Sequence, residues 1–157
     1  MPRHPERGVA IVRDLTALGL TVARRSAKEK ITADTDIYLA DSLGELGLFI
    51  RLAPLVLIGK SLIGRGGQNP LEPARLGASI LFGPHMGNFE EIAARMRGAG
   101  AAHEIADSAA LTAALDERLA NPGRAQADGV LARNFASRED GVLGAVVAAI
   151  EQWLPGR

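Results

Sequence analysis

The stretch LVLIGKSLIGRGGQNPLEPARLGASILFG (Leu55–Gly83) decides the fold. It opens on one short apolar run, LVLIG (Leu55–Gly59), and closes on another, SILFG (Ser79–Gly83). Continuous apolar runs of this length read as strands buried on both faces. Between them, Gly66 and Gly67 can take backbone angles that other residues avoid and let another molecule approach the main chain closely. Asn69 then suits a helix N-cap, Pro70 the first helical position, and Glu72 the place of a capping-box acid. The stretch is a strand, a tight loop, a helix start and a second strand.

The same alternation extends outward in both directions. Strands are expected at Thr21–Arg25, Asp36–Ala40 and Ala102–Ala106 as well, with helices at Pro5–Leu18, Gly44–Ala53, Pro70–Leu76, Asn88–Arg97 and Ser108–Ala120. The tail reads as two helices, Pro122 to about Phe135 and Arg138–Trp153, with NPGR (Asn121–Arg124) and SRED (Ser137–Asp140) supplying breaks and caps. Strands alternating with helices predict one α/β domain over residues 1–157, a parallel sheet with helices on both faces. No internal repeat or low-complexity tract interrupts it.

The totals exclude several classes. The 157 residues are 47% hydrophobic and 23% charged, enough for a sizeable core. Eighteen Lys and Arg balance eighteen Asp and Glu, so no net field recruits nucleic acid or an anionic membrane. The absence of cysteine removes disulfides, thiolate nucleophiles and cysteine zinc sites, and agrees with a reducing compartment. Apolar runs such as VLGAVVAAI (Val142–Ile150) fall far short of a membrane span, and the opening MPRHPERG lacks a signal-peptide core. The expectation is a soluble domain.

One local pattern recurs after three of the strands. DSLGEL places Ser42 and Glu45 at capping-box spacing, GGQNPLE does the same for Asn69 and Glu72, and GPHMGNFEE for Asn88 and Glu91. In a parallel sheet these helix starts lie beyond the carboxyl ends of the strands, where unpaired amides and the helix dipole favour a phosphate or carboxylate. Caps also occur on most helices for structural reasons alone. The extra decoration by Gly66–Gly67, Arg65, Pro84–His85 and Glu90–Glu91 points toward a phosphorylated small molecule. A carboxylate such as Glu72 or Glu45 suits a vicinal diol such as a ribose, although capping competes for the same oxygens. Arg3 offers a guanidinium for phosphate or carboxylate, or is a solvated terminal arginine. His4, His85 and His103 lack metal-ligand spacing, and neither a Gly-x-Ser-x-Gly elbow nor a Walker loop is present. No metal and no cofactor is expected.

Taken together, PRHPER, DSLGELGLFIRLAPLVLIGKSL, RGGQNPLEPARLG and FGPHMGNFEEIA resemble the bacterial Kdo transferases, lipopolysaccharide glycosyltransferases that move 3-deoxy-D-manno-octulosonic acid (Kdo) from CMP-Kdo to a lipid A precursor. The resemblance runs along nearly the whole chain in the expected order. It implies the carboxyl-terminal half of a GT-B fold, Rossmann-like and lacking its first strands, since the chain starts after them. It also implies that Pro2 and Arg3, Leu43, Gly44 and Glu45, and Asn69, Pro70, Leu71 and Glu72 contact CMP. The catalytic base and the acceptor site would lie in the missing amino-terminal half, so this chain carries no catalytic residue and is inactive alone. The parent enzyme would work at the cytoplasmic side of the inner membrane. Removing strands from a parallel sheet exposes edges that invite a homodimer.

Two positions depart from the family pattern: Gln68 stands where His is usual, and Lys60 where Gly is usual. Gln68 keeps hydrogen bonding but cannot change charge near neutral pH. Lys60 either crowds its loop or adds a cation near the sugar carboxylate. The alternatives are a GT-B transferase using another nucleotide sugar, or a non-catalytic α/β binding domain whose capped helices are purely structural.

Overall fold

The structure, a computed structural model, describes residues 1–2, 4–64, 66–151 and 153, without the side chains of 140–146, 148 and 151. The chain divides into two compact units, Met1–Phe49 and Ile50–Arg157.

In the first unit a 3-10 turn at Pro5–Arg7 leads into α1 (Gly8–Ala17), the fixed φ of Pro5 suiting a turn start. Gly19, at φ +83, closes the helix through its amide on the Thr16 carbonyl. Strands β1 (Val22–Arg24) and β2 (Ile37–Leu39) pair in parallel, with Val22 opposite Ile37 and Arg24 opposite Leu39. Asp36 locks the entry to this pair: its carboxylate accepts the Thr21 amide at 2.8 Å, and its own amide donates to the Thr21 carbonyl. Helix α2 (Leu46–Leu52) spans the boundary between the units.

The second unit is built on three parallel strands, β3 (Leu55–Leu57), β4 (Ser79–Phe82) and β5 (His103–Glu104), with β4 in the middle. Every residue of β4 is buried, which is why its sequence is uninterrupted by charge. Helices α3 (Leu71–Arg75), α4 (Glu90–Gly98), α5 (Ser108–Ala120) and α6 (Pro122–Glu151) flank the sheet. The core joins Ile58, Ile80 and Phe82 to Met86, to Ala93 and Met96 of α4, and to Ala132 and Phe135 of α6. Gly129 lets α6 lie against the turn between α3 and β4: a Cβ there would stand 2.1 Å from the Gly77 carbonyl oxygen.

The architecture is α/β with parallel strands flanked by helices, as expected; the first unit holds the pair β1–β2 and the second the three strands β3, β4 and β5. Each strand is trimmed relative to its apolar run because pairing stops where the chain turns into a loop. The largest correction lies in the tail. The break expected at SRED (Ser137–Asp140) does not form, and α6 runs from Pro122 to Glu151. Ser137 does not cap a new helix; its hydroxyl donates back to the Arg133 carbonyl at 3.0 Å, and Glu139 pairs with Arg95. The polar stretch is therefore a helix face and not a boundary. The break at NPGR does form, between α5 and α6, with the Asn121 side chain accepting the Arg124 amide.

Candidate functional site

In the second unit, α3 and α4 both start beyond the carboxyl ends of the strands preceding them. Two loops meet there. Buried Ser61 organises them: its hydroxyl donates to the Ile58 carbonyl at 2.6 Å and accepts the Gly83 amide at 2.8 Å. The His85 amide donates to the Ser61 carbonyl, and the His85 carbonyl accepts the Gly67 amide, each at 2.9 Å. His85 thus stitches the loops through its main chain while its side chain stays exposed.

The glycine pair has two different jobs. Gly67 packs against the second loop, since a Cβ there would lie 2.6 Å from the Met86 sulfur. Gly66 takes φ +93 with open space beside it, and the close approach of Gly87 to its Cα leaves no room for a side chain on Gly87. Only Gly66 therefore leaves main chain open. Lys60 also sits in the left-handed region, at φ +64.

The three expected capping boxes come out differently. At α3 the Asn69 side chain accepts the Leu71 amide at 2.9 Å, while Pro70, in helical geometry, stands at the cap position itself; the Asn69 half of the expected box forms. Glu72 lies in the first turn with an exposed side chain. Before α4 a 3-10 turn spans Gly87–Phe89, which swallows Asn88; its box with Glu91 is absent because the chain begins to coil two residues early. Before α2 the Ser42 hydroxyl bonds to the Glu45 carboxylate itself.

Leu43, Gly44 and Glu45 stand together in the first unit, on the loop leaving β2. Gly44 turns at φ +78 and Leu43 is 78% exposed. The Glu45 carboxylate is forked by Arg25, whose Nε donates to Oε2 at 3.0 Å. These bonds from Arg25, then the one from Ser42, lower the Glu45 carboxyl from its ordinary 4.5 to about 2. At the other end of the loop, Asp41 is 1% exposed and accepts Arg24 Nε and Nη2, at 2.9 and 2.7 Å, and the Ser26 amide and hydroxyl. Burial pushes the Asp41 carboxyl up, but the Ser26 amide and the Arg24 guanidinium outweigh it and hold it below the usual range. Gly8, first residue of α1, abuts this carboxylate so closely that a Cβ would lie 2.4 Å from Oδ2. Pro2 is in the described chain before the 3-10 turn, and Arg3 lies outside the described residues. The expected residues thus fall into a first-unit set and a second-unit set.

Sequence reasoning missed Arg25, Ser61 and Met86. Arg25 falls at the end of the expected strand Thr21–Arg25, and no local spacing links it to Glu45 twenty residues on. Beside the loop after β4, a cavity of about 170 Å³ is lined by Phe82, Pro84, Met86, Glu90 and the ion pair Arg97–Glu104; it includes Pro84 and Glu90 of the expected loop decoration and none of the residues expected to contact CMP. Buried Asp128 gathers Ser79, Arg118 and His103 at the starts of β4 and β5. Among the described residues no group of three His, Asp or Glu could hold a metal, and no helix is long and apolar enough to cross a membrane.

No family model matches the chain. It is 36% identical over 156 residues to a 3-deoxy-D-manno-octulosonic acid transferase of Bordetella pertussis, covering 98% of this chain and 36% of that protein. It is 37% identical over 126 residues to a probable mitochondrial 3-deoxy-D-manno-octulosonic acid transferase of Arabidopsis thaliana, covering 78% of this chain and 28% of that protein. The chain therefore spans about a third of the length of these curated relatives. Among solved structures it superposes on the C-terminal CMP-Kdo binding domain of WaaA from Acinetobacter baumannii with a TM-score of 0.80, at 34% identity, covering 86% of this chain and 70% of that one. The shared fold is that of the carboxyl-terminal half of a GT-B glycosyltransferase. On sequence and fold together, the chain belongs to the 3-deoxy-D-manno-octulosonic acid transferase family and corresponds to its carboxyl-terminal domain.

Proposed function

We propose that this chain is the donor-binding part of an inverting glycosyltransferase that moves Kdo from CMP-Kdo to a lipid A precursor at the cytoplasmic face of the inner membrane. Its likeness to a solved CMP-Kdo binding domain carries the reading. In this reading Pro2, Arg3, Leu43, Gly44, Glu45, Asn69, Pro70, Leu71 and Glu72 contact CMP. The loop after β3 supports it. Asn69 fixes the first turn of α3, Gly66 leaves main chain open, and the Glu72 side chain is exposed and available for a ribose diol. The acceptor hydroxyl attacks the anomeric carbon of Kdo, and CMP leaves as a phosphate stabilised by amides and arginine. The base that takes the hydroxyl proton belongs to the remainder of the enzyme, so the chain alone binds donor without turnover.

The test is an NMR titration of the chain with CMP, UMP and AMP, repeated on Glu72→Ala. Shifts for CMP alone, weakened at least tenfold in the variant, support the proposal. Equal shifts for all three nucleotides favour a transferase of another donor, and no shift from a folded sample overturns donor binding by this chain. Sedimentation of the same sample tests dimerisation through a strand edge.

A further inference from the structure

Two adjacent arginines at the end of β1 reach the two ends of one loop. Arg24 takes Asp41, where the loop leaves β2, and Arg25 takes Glu45, where α2 begins. The loop between them, Asp41–Glu45, carries an exposed Leu43 and a left-handed Gly44, a backbone with little stiffness of its own. The two clamps are unequal. The Arg24–Asp41 side chains are 23% and 0% exposed, whereas those of Arg25 and Glu45 are 43% and 28% exposed. Arg24 therefore belongs to the packed interior, and Arg25 works at the surface.

The Arg25 fork decides what Glu45 can do. Both carboxylate oxygens accept from Arg25, and the Ser42 hydroxyl takes a further lone pair. A carboxylate so occupied has little capacity left for a ribose diol, which asks for two bonds at once. The main-chain amides of the loop carry no such commitment to Arg25.

Resting on the proposed donor binding, we infer that Arg25 is a positioning residue of the nucleotide site: by gripping Glu45 it sets the loop Asp41–Glu45 in the shape whose main chain, and not the Glu45 carboxylate, meets the nucleotide. Arg25 acts here through Glu45 without touching the ligand. The planar fork makes the grip directional, which a lysine ammonium cannot reproduce in full.

The experiment measures CMP affinity and thermal unfolding for the chain and for Arg25→Met, Arg25→Lys and the exchanged pair Arg25→Glu with Glu45→Arg. The expected result is a loss of at least tenfold in CMP affinity for Arg25→Met, partial recovery in Arg25→Lys, and recovery in the exchanged pair, which restores the bridge with its ends reversed. Amide exchange at Leu43–Glu45 should speed up in Arg25→Met and slow again in the exchanged pair. Arg25→Met that melts lower yet binds CMP like the original chain overturns the inference, because the fork is then only structural. An exchanged pair that is folded, protects the loop amides and still fails to bind overturns it too, because the carboxylate is then itself a ligand contact. An unaltered chain that is folded and ignores CMP overturns the functional reading, and the inference falls with it.

Discussion

The Ser61 hydroxyl donates to the Ile58 carbonyl at 2.6 Å and accepts the Gly83 amide at 2.8 Å, so one buried side chain joins the loop after β3 to the loop after β4. Removing it leaves a buried N–H and a buried carbonyl without their partner, a loss of about 1–3 kcal/mol. Ser61→Ala is expected to lower the urea midpoint accordingly. Gly83→Ala attacks the same junction sterically, since its Cβ would stand 2.4 Å from the Ser61 carbonyl oxygen, and about 1–3 kcal/mol is expected there as well. The two effects share one junction, so the double variant should lose less than the sum of the singles.

Lys60 holds φ +64, a conformation that costs an L-residue about 1–2 kcal/mol and glycine almost nothing. Glycine returns part of that through the greater freedom of its unfolded chain. Lys60→Gly should therefore stabilise the protein by about 0.5–1 kcal/mol, read from the urea midpoint at constant m-value. An unchanged or lower midpoint would mean that the lysine side chain makes a compensating contribution.

How much of this was legible in the sequence depends on the range of the interaction. Buried strands announce themselves in consecutive residues: SILFG reads as β4, and all four residues of that strand are buried. The Asn69 cap was equally legible, because cap and helix are neighbours in the chain. SRED was misread because Ser and Glu serve caps and exposed helix faces alike, and only the core contacts of Ala132 and Phe135 show which face of α6 is inside. The Asn88 box failed because a 3-10 turn starting at Gly87 competes with it. Arg25 was invisible for another reason: its partner lies across a strand crossing, and no periodicity encodes that.

Gly129 carries a signal of this long-range kind. A glycine in the middle of a helix costs about 1 kcal/mol relative to alanine unless packing requires it. Here packing does, with the Gly77 carbonyl oxygen 2.1 Å from where a Cβ would go. Gly129→Ala should gain helix propensity and still destabilise the chain by about 1–3 kcal/mol, because backbone meets backbone and α6 has to move off the turn that follows α3. Calorimetry of the variant checks the sign. A gain in stability would mean that α6 shifts away from Gly77 without loss.

Acid stability follows from three carboxylates. Glu45 is lowered from 4.5 to about 2, and Asp41 and Asp128 are held below their ordinary 3.8. For Asp128, burial pushes upward, but the neighbouring His103 imidazole and the Ser79 hydroxyl prevail. A carboxyl whose folded value is depressed favours the folded state when ionised. That contribution is complete above the ordinary values and disappears as the pH falls through the folded ones. Stability should hold from pH 7 down to about 4.5 as far as these groups are concerned, then decline toward about pH 2. Asp41→Asn isolates one contributor. It leaves the Arg24 guanidinium, with a side chain only 23% exposed, beside a neutral partner, and should cost about 3 kcal/mol at pH 7. The variant should then lose less than the original chain between pH 5 and pH 2.5, because the group that would have been protonated is gone. Urea midpoints at the three pH values separate the outcomes. An unchanged acid slope in Asp41→Asn would assign the decline to Glu45 and Asp128, and the Arg24–Asp41 clamp would then matter for packing and not for pH.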